Sequence, residues 1–310
     1  MICIIALIVF SILGIFSATH RALAKEAFDC VLRRVTFRPC TTGFNEKIKG
    51  KIIGKLLTRS VVVAKFFNKH FEIISWIFVI LTITSTIYTA KGIYNFYLYG
   101  SCNGLNKSGF CVFDPAGSNN KMTTINNSCS TSKTSEKTVT LKGLSLDTFP
   151  QLMPTADKKI VFMGCYACEY TRKAYPLIKK LADLTKSNLV FIHVPAKEKT
   201  DFISKYVFCT NKEDNNKFWI FNDNLFSPNL TNIENEEKIQ EIVKNSGYDL
   251  QKIMACTSNS YTQQMVDQQI SSINLTGIYG TPTIFINDEV FVGPKPYRVY
   301  ERALKGWRFW

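Results

Sequence analysis

Lys159-Ile160-Val161-Phe162-Met163-Gly164-Cys165-Tyr166-Ala167-Cys168-Glu169-Tyr170-Thr171-Arg172-Lys173 decides the fold of this chain. Ile160 to Met163 is a short apolar run of the kind that forms a buried strand, and it stops at Gly164. Two cysteines spaced C-x-x-C follow and open an amphipathic helix, with Leu177, Ile178, Leu181 and Leu184 on one face and lysines on the other. A helix N-terminus carries unpaired N–H groups and about half a positive charge, so thiolate is expected at Cys165. The two-residue spacing keeps Cys168 within a turn of Cys165, close enough to resolve a mixed disulfide formed there. A bare C-x-x-C serves equally as half a zinc site, but its position between strand and helix favours redox chemistry. Pro176 is expected to kink the helix.

Further along, Gly280-Thr281-Pro282-Thr283-Ile284-Phe285-Ile286 leads into a strand, Asn287-Asp288 makes a turn, and Glu289 to Gly293 returns. Between the two motifs lie Lys217-Phe218-Trp219-Ile220-Phe221-Asn222-Asp223-Asn224-Leu225-Phe226 and Ile253-Met254-Ala255-Cys256. In this order these stretches resemble the DsbA-like thiol:disulfide oxidoreductases of the thioredoxin superfamily, over about Leu144 to Leu304. The resemblance implies an α/β thioredoxin fold with a helical insertion over Lys197 to Ile273 and a closing helix over Pro294 to Gly306. It implies catalysis by Cys165 and Cys168, with Pro282 cis and facing them. It also implies that backbone groups of Thr281 pair with an extended substrate chain. No cofactor and no metal is called for.

Two features depart from the family. Tyr166-Ala167 stands where strongly oxidising members carry Pro-His. Lys159 stands six residues before the first cysteine, where the family has a buried acid; it either favours thiolate or caps the strand end in solvent. His193 ends the second strand, Asn188 to Val194, and a lone histidine there is more often structural than catalytic. Lys159, Tyr166 and His193 are thus the residues through which the redox properties could be modulated. Cys209 and Cys256, in the insertion, form either a second disulfide or buried thiols, and an exterior compartment favours the disulfide.

The N-terminal third reads as a membrane region. Met1 to Ala18 is uncharged and apolar, and the positive charge follows it instead of preceding it, which favours a retained helix over a cleaved signal peptide. Ile73 to Ala90 is a second apolar run, with Trp76 near its start and Tyr88, Tyr94, Tyr97 and Tyr99 near its end, in a transmembrane segment extending over about 71–99. Between them, Thr19 to His70 carries twelve lysines and arginines against Glu26, Asp29 and Glu46. That charge holds the loop in the cytoplasm, where Cys30 and Cys40 are expected as free thiols and helically spaced Ile48, Ile52 and Leu56 could lie on an anionic leaflet. Two crossings place everything after residue 99 outside. There Cys102 and Cys111 enclose a Gly/Asn-rich loop and read as a structural disulfide. Asp114 to Lys142, poor in apolar residues, reads as a linker within 100–143, with Cys129 unassigned. Sequons at Asn106, Asn126, Asn229 and Asn274 fit that exterior. The redox domain then spans 144–310.

A net charge of +14 raises nucleic acid as a partner. The basic residues concentrate beside apolar segments and form no aromatic-studded stripe, which argues against it. The expected partners are exported proteins with thiols, a membrane electron-transfer protein that reoxidises the cysteine pair, and the lipid bilayer. Two alternatives stand beside an oxidase: a reductase or isomerase on the same fold, and a metal-binding or surface-interaction module.

Overall fold

The computed structural model describes residues 18–36, 38, 44–58, 60–125, 139–227 and 233–306. Almost all of the first apolar run, with Cys40, Cys129 and the sequons at Asn126 and Asn229, lies outside them. The chain divides into two compact units, Met1–Lys91 and Gly92–Trp310.

The first unit is helical over almost all of its described residues, including the stretch of helically spaced Ile48, Ile52 and Leu56. Helices α1 (Ala18–Val35) and α2 (Phe44–Leu57) precede α3 (Val61–Tyr99), which has a non-helical residue at His70. Apolar residues at helical spacing among the lysines favour helix over an extended loop. Cys30 is buried on α1 and disulfide-bonded, correcting the expectation of a free thiol. That expectation rested on compartment, whereas pairing depends on the distance between two sulfurs in the folded chain.

Among the described residues one helical stretch is long and apolar enough to cross a membrane, Trp76–Tyr99, of 24 residues. At 1.5 Å per residue it spans about 36 Å, against roughly 30 Å of hydrocarbon. Trp76, Phe78, Leu81, Ile83 and Ile87 along it are all exposed. The helix continues through Gly92 to Tyr99 and ends before Gly100, which has φ +72°.

In the second unit, β2 (Lys159–Gly164), β3 (Asn188–His193), β5 (Thr283–Ile286) and β6 (Glu289–Val292) form a sheet in the order β3-β2-β5-β6. β2 and β3 are parallel, joined by helix α4 (Glu169–Thr185), while β5 runs antiparallel to β2 and β6. Successive strand residues point to opposite faces and both faces are covered, so the middles of the strands are continuous apolar runs. Ile160, Phe162, Leu189, Phe191, Ile284 and Ile286 enter one core, and Val161, Met163, Val190, Ile192 and Phe285 enter the other. Pro176 lies inside α4, which is assigned as one uninterrupted helix.

The insertion between the strands consists of α5 (Ile203–Glu213), α6 (Asn215–Leu225), α7 (Glu236–Asn245), α8 (Leu250–Thr257) and α9 (Ser260–Leu275). Asp214, Asn235, Asp249 and Asn259 cap α6 to α9 by accepting from backbone N–H groups of the first turn. A Cys209–Cys256 disulfide ties α5 to α8, with Cα atoms 6.0 Å apart. Helix α10 (Tyr297–Lys305) closes the fold. Its Arg298 and Arg302 donate to the carbonyls of Phe96, Tyr97 and Leu98 in the last turn of α3.

Residues 114–125 correct the reading of Asp114 to Lys142 as a linker. The preceding loop is closed by a Cys102–Cys111 disulfide. Its Asn106 donates to the Val290 carbonyl at 2.7 Å and accepts from Val292 N–H at 2.8 Å, so that sequon's amide is already engaged. Asp114 then accepts from Ser118 and Asn119, and Lys295 Nζ donates to the Asn119 carbonyl and to Asn120 Oδ1. Strand β1 (Thr123–Thr124) pairs antiparallel with β4 (Gly280–Thr281). Hydrogen bonds hold this segment, and a composition poor in apolar residues does not reveal them.

Candidate functional site

The cysteine motif lies where β2 hands over to α4. The Cys168 N–H donates to the Cys165 carbonyl at 3.0 Å, and α4 proper begins only at Glu169. This moves the helix N-terminus from the first cysteine to the second. Cys168 is the N-cap, and its sulfur accepts from Thr171 N–H at 3.4 Å. Burial pushes the Cys168 thiol up, but hydrogen bonds, led by the Thr123 hydroxyl and joined by Thr171 N–H, outweigh it and leave the thiol below its usual range. Cys165 Sγ has the Thr200 hydroxyl 3.8 Å away.

Both cysteines are free thiols and fully buried. Ala196 packs with them, and Ile125, Ala167 and Tyr170 lie against the group. The Thr281–Pro282 peptide bond is cis, and the Cys168 thiol donates to the Thr281 carbonyl at 3.4 Å. Thr281 is therefore beside the second sulfur. Its backbone edge, assigned by the sequence to a substrate chain, carries strand β1 instead, with Thr123 opposite Thr281 and Thr124 opposite Gly280.

Tyr166 points into the core. Its hydroxyl donates to Asn222 Oδ1 at 2.6 Å, and its ring stacks on His193 with centroids 4.9 Å apart. Asn222 Nδ2 donates to the Tyr175 hydroxyl at 2.9 Å, and that hydroxyl donates to Asp223. Burial holds the Tyr166 phenol well above its ordinary range, so it remains a donor. This network connects the motif to the Phe218–Leu225 stretch of α6. His193 Nδ1 lies 3.0 Å from Ser204 Oγ, and burial depresses its pKa to about 3, leaving the ring neutral. Lys159 is exposed at the opposite end of β2. Six residues of strand at about 3.3 Å each put it roughly 20 Å from Cys165, too far to act on the sulfur.

Sequence reading missed three residues here. Thr123 donates to Cys168 Sγ at 2.9 Å. Arg172 donates to the carbonyls of Tyr166, Leu225 and Ser227, clamping the turn between the cysteines onto the end of α6. Asn222 joins two buried phenols. Only Asn222 had a local signal, its place in the Phe218–Phe226 stretch. A shallow groove beside Tyr166 and Ala167 is bordered by Arg172, Lys197 and Asn235.

Cys209 and Cys256 are bonded to each other, so neither sulfur is available to join Cys165 and Cys168 around zinc. Among the described residues no group of three or more His, Cys, Asp or Glu is arranged to hold a metal ion.

A model of the DSBA-like thioredoxin domain matches residues 150–305. Solved structures with a similar fold include the thiol-disulfide exchange protein alpha-DsbA2 from Wolbachia pipientis, at 22% identity and TM-score 0.46, covering 51% of this chain and 86% of that one. The catalytic domain of Proteus mirabilis ScsC matches at 20% identity and TM-score 0.45, covering 51% and 88%. Oxidised BdbD from Bacillus subtilis matches at 22% identity and TM-score 0.44, covering 52% and 96%. A comparison with curated proteins returned no match.

Proposed function

This chain belongs to the DSBA-like thioredoxin-domain family and is a thiol:disulfide oxidoreductase, and we propose that it forms disulfides in exported proteins from a membrane anchor. Cys165 is the sulfur that bonds to substrate, and Cys168 is the leaving and resolving sulfur. In the oxidised enzyme a substrate thiolate bonds to Cys165 Sγ, the Cys165–Cys168 bond breaks, and its electron pair leaves on Cys168. A second substrate thiolate then bonds to the first substrate sulfur and releases Cys165. The substrate gains a disulfide, and two electrons stay on the enzyme as a dithiol. A membrane electron-transfer partner removes them.

The observation that carries the oxidising direction is the set of hydrogen bonds on Cys168 Sγ from Thr123 and Thr171. They stabilise thiolate, which exists only in the reduced enzyme, and stabilising the reduced form makes a couple a stronger oxidant. Tyr166 and Ala167 supply no equivalent donor to Cys165, so Cys168 bears this role. A substrate chain can pair with the Thr281 edge only when β1 has left it, because each backbone N–H and C=O on that edge serves one strand at a time.

The exposed apolar helix Trp76–Tyr99 supports the anchor, and the two disulfides of the second unit support an oxidising exterior for it. The basic segment 19–70 favours the cytoplasmic side for the first unit. The bonded Cys30 opposes that orientation. Protease added to intact cells decides between them: the orientation holds when the second unit is cut and 19–70 is spared.

The function is tested with Cys168→Ser and Cys165→Ser proteins recovered from cells on non-reducing gels. Cys168→Ser traps reductant-sensitive adducts with exported proteins, and Cys165→Ser traps none. A Cys168→Ser protein that carries no adduct while Cys165 is a free thiol overturns the assignment. The equilibrium with glutathione then separates oxidase from reductase.

A further inference from the structure

We infer that Thr123, on a strand outside the family domain, is a catalytic residue of this site that donates its hydroxyl hydrogen to Cys168 Sγ when that sulfur holds the leaving electron pair. The inference rests on the reading of Cys165 and Cys168 as the redox couple.

The geometry is direct. Thr123 Oγ1 lies 2.9 Å from Cys168 Sγ, nearer than the Thr171 N–H or the Thr281 carbonyl, each at 3.4 Å. The Thr171 and Thr281 side chains also neighbour this sulfur, but their buried hydroxyls make no hydrogen bond, so among the described residues Thr123 supplies the hydroxyl in hydrogen-bonding contact with it. In a buried site a donor already aimed at a developing anion needs no reorganisation during the reaction.

The position of Thr123 is built from both sides of its strand. Gly280 has no side chain, and a Cβ there would meet Met122 Sδ at 2.4 Å, so Met122 fills the space that glycine leaves. Gly293, at φ +78°, gives way to the Lys121 carbonyl, which a Cβ would approach to 2.8 Å. Upstream, the buried Lys295 Nζ holds the Asn119 carbonyl at 2.6 Å and Asn120 Oδ1 at 2.7 Å. These contacts set the register that puts Thr123 opposite Thr281. A slip of one residue would turn the hydroxyl to the opposite face of the strand and away from the sulfur. The half-buried Thr123 and exposed Thr124 show that alternation.

The step balances without an added reactant. A substrate thiolate forms the bond to Cys165 Sγ, the Cys165–Cys168 bond breaks, and Cys168 Sγ departs as thiolate. Thr123 donates a hydrogen bond to that anion and keeps its proton. The reduced enzyme gains stability relative to the disulfide, because a disulfide sulfur is a much weaker acceptor than a thiolate.

The test uses the full chain in detergent with Thr123→Val and Thr123→Ser. Valine keeps the β-branched shape and the backbone pairing and removes only the hydroxyl, and serine restores the hydroxyl. The equilibrium against glutathione is read by thiol trapping. The pH dependence of Cys168 alkylation is read in a Cys165→Ser background. Thr123→Val is expected to move the equilibrium about tenfold toward the disulfide and the alkylation profile about one pH unit upward, and Thr123→Ser to restore both to within about twofold. A valine protein matching the wild type within about twofold, or a serine protein matching valine, overturns the inference. Wild-type protein that exchanges normally beside an unaffected valine variant removes only Thr123's role. Wild-type protein that exchanges with no thiol removes the redox reading beneath it.

Discussion

Thr123 faces Thr281 across an antiparallel pair, so the backbone edge beside the cis Thr281–Pro282 bond is occupied by the protein's own chain. The pairing brings a hydroxyl onto Cys168 and, with Ile125 packed over the cysteines, leaves both sulfurs without solvent exposure. Reactivity at this site therefore depends on how firmly residues 119–125 are held.

Gly280→Val should loosen that hold. The new side chain collides with Met122, and β1 has only two residues of pairing to resist displacement. Iodoacetamide should alkylate the reduced cysteines at least about tenfold faster than in the wild type, corresponding to roughly 1.4 kcal/mol less local closing free energy. Equal rates in the two proteins would mean that β1 does not limit access.

His193 should make the fold sensitive to acid. Its folded-state pKa of about 3 lies below the ordinary 6.5 because of burial. Between those values the unfolded chain binds a proton that the folded chain does not, so stability is full above pH 6.5 and declines as pH falls below it. By pH 4.5 the decline should reach roughly 2 to 3 kcal/mol. His193→Phe keeps the aromatic packing on Tyr166 and should flatten this limb in urea melts taken from pH 7 to 4.5. A limb of unchanged slope would place the acid sensitivity elsewhere.

Lys295 should act at the alkaline end. Burial lowers its pKa to about 8, partly offset by the charge of Asp114. At pH 7 both states are protonated, and folding carries the burial penalty. From about pH 8 to 10.5 the unfolded chain keeps the proton that the folded chain has lost, so stability rises with pH. Thermal melts of wild type and Lys295→Met should show the wild type gaining on the variant across this window. A constant difference contradicts the buried, depressed lysine.

Removing the Cys209–Cys256 disulfide should separate stability from chemistry. It closes a loop of sequence separation 47, and the double alanine variant should lose about 3 to 4 kcal/mol. Where the variant stays folded, exchange through Cys165 and Cys168 should continue with an unchanged glutathione equilibrium. A shifted equilibrium would show that the insertion tunes the couple.

Local pattern carried much of this fold. The continuous apolar run from Ile160 to Met163, the break at Gly164 and the helical spacing from Leu177 to Leu184 identify strand, turn and helix, because each depends on neighbours a few residues away. The order of the Cys165–Cys168, Phe218–Phe226 and Gly280–Ile286 stretches carried the family, since each has a distinctive composition at its own site. The apolar run ending near Tyr99 was legible for the same reason.

What tertiary structure alone decided is which groups meet the sulfurs. A two-residue strand such as β1 has no periodicity to detect, and its Asn- and Thr-rich surroundings are held by Lys295 and backbone hydrogen bonds instead of by burial of apolar side chains. Tyr166 looks like a loop residue until Asn222, fifty-six positions away, accepts its hydrogen bond. The helix N-terminus falls at Cys168 because backbone turn geometry, not spacing, sets the cap. The sequence by itself determined that a cysteine pair opens a helix in a thioredoxin fold. Contacts between residues distant in the chain decided that Thr123 and Thr281 enclose it.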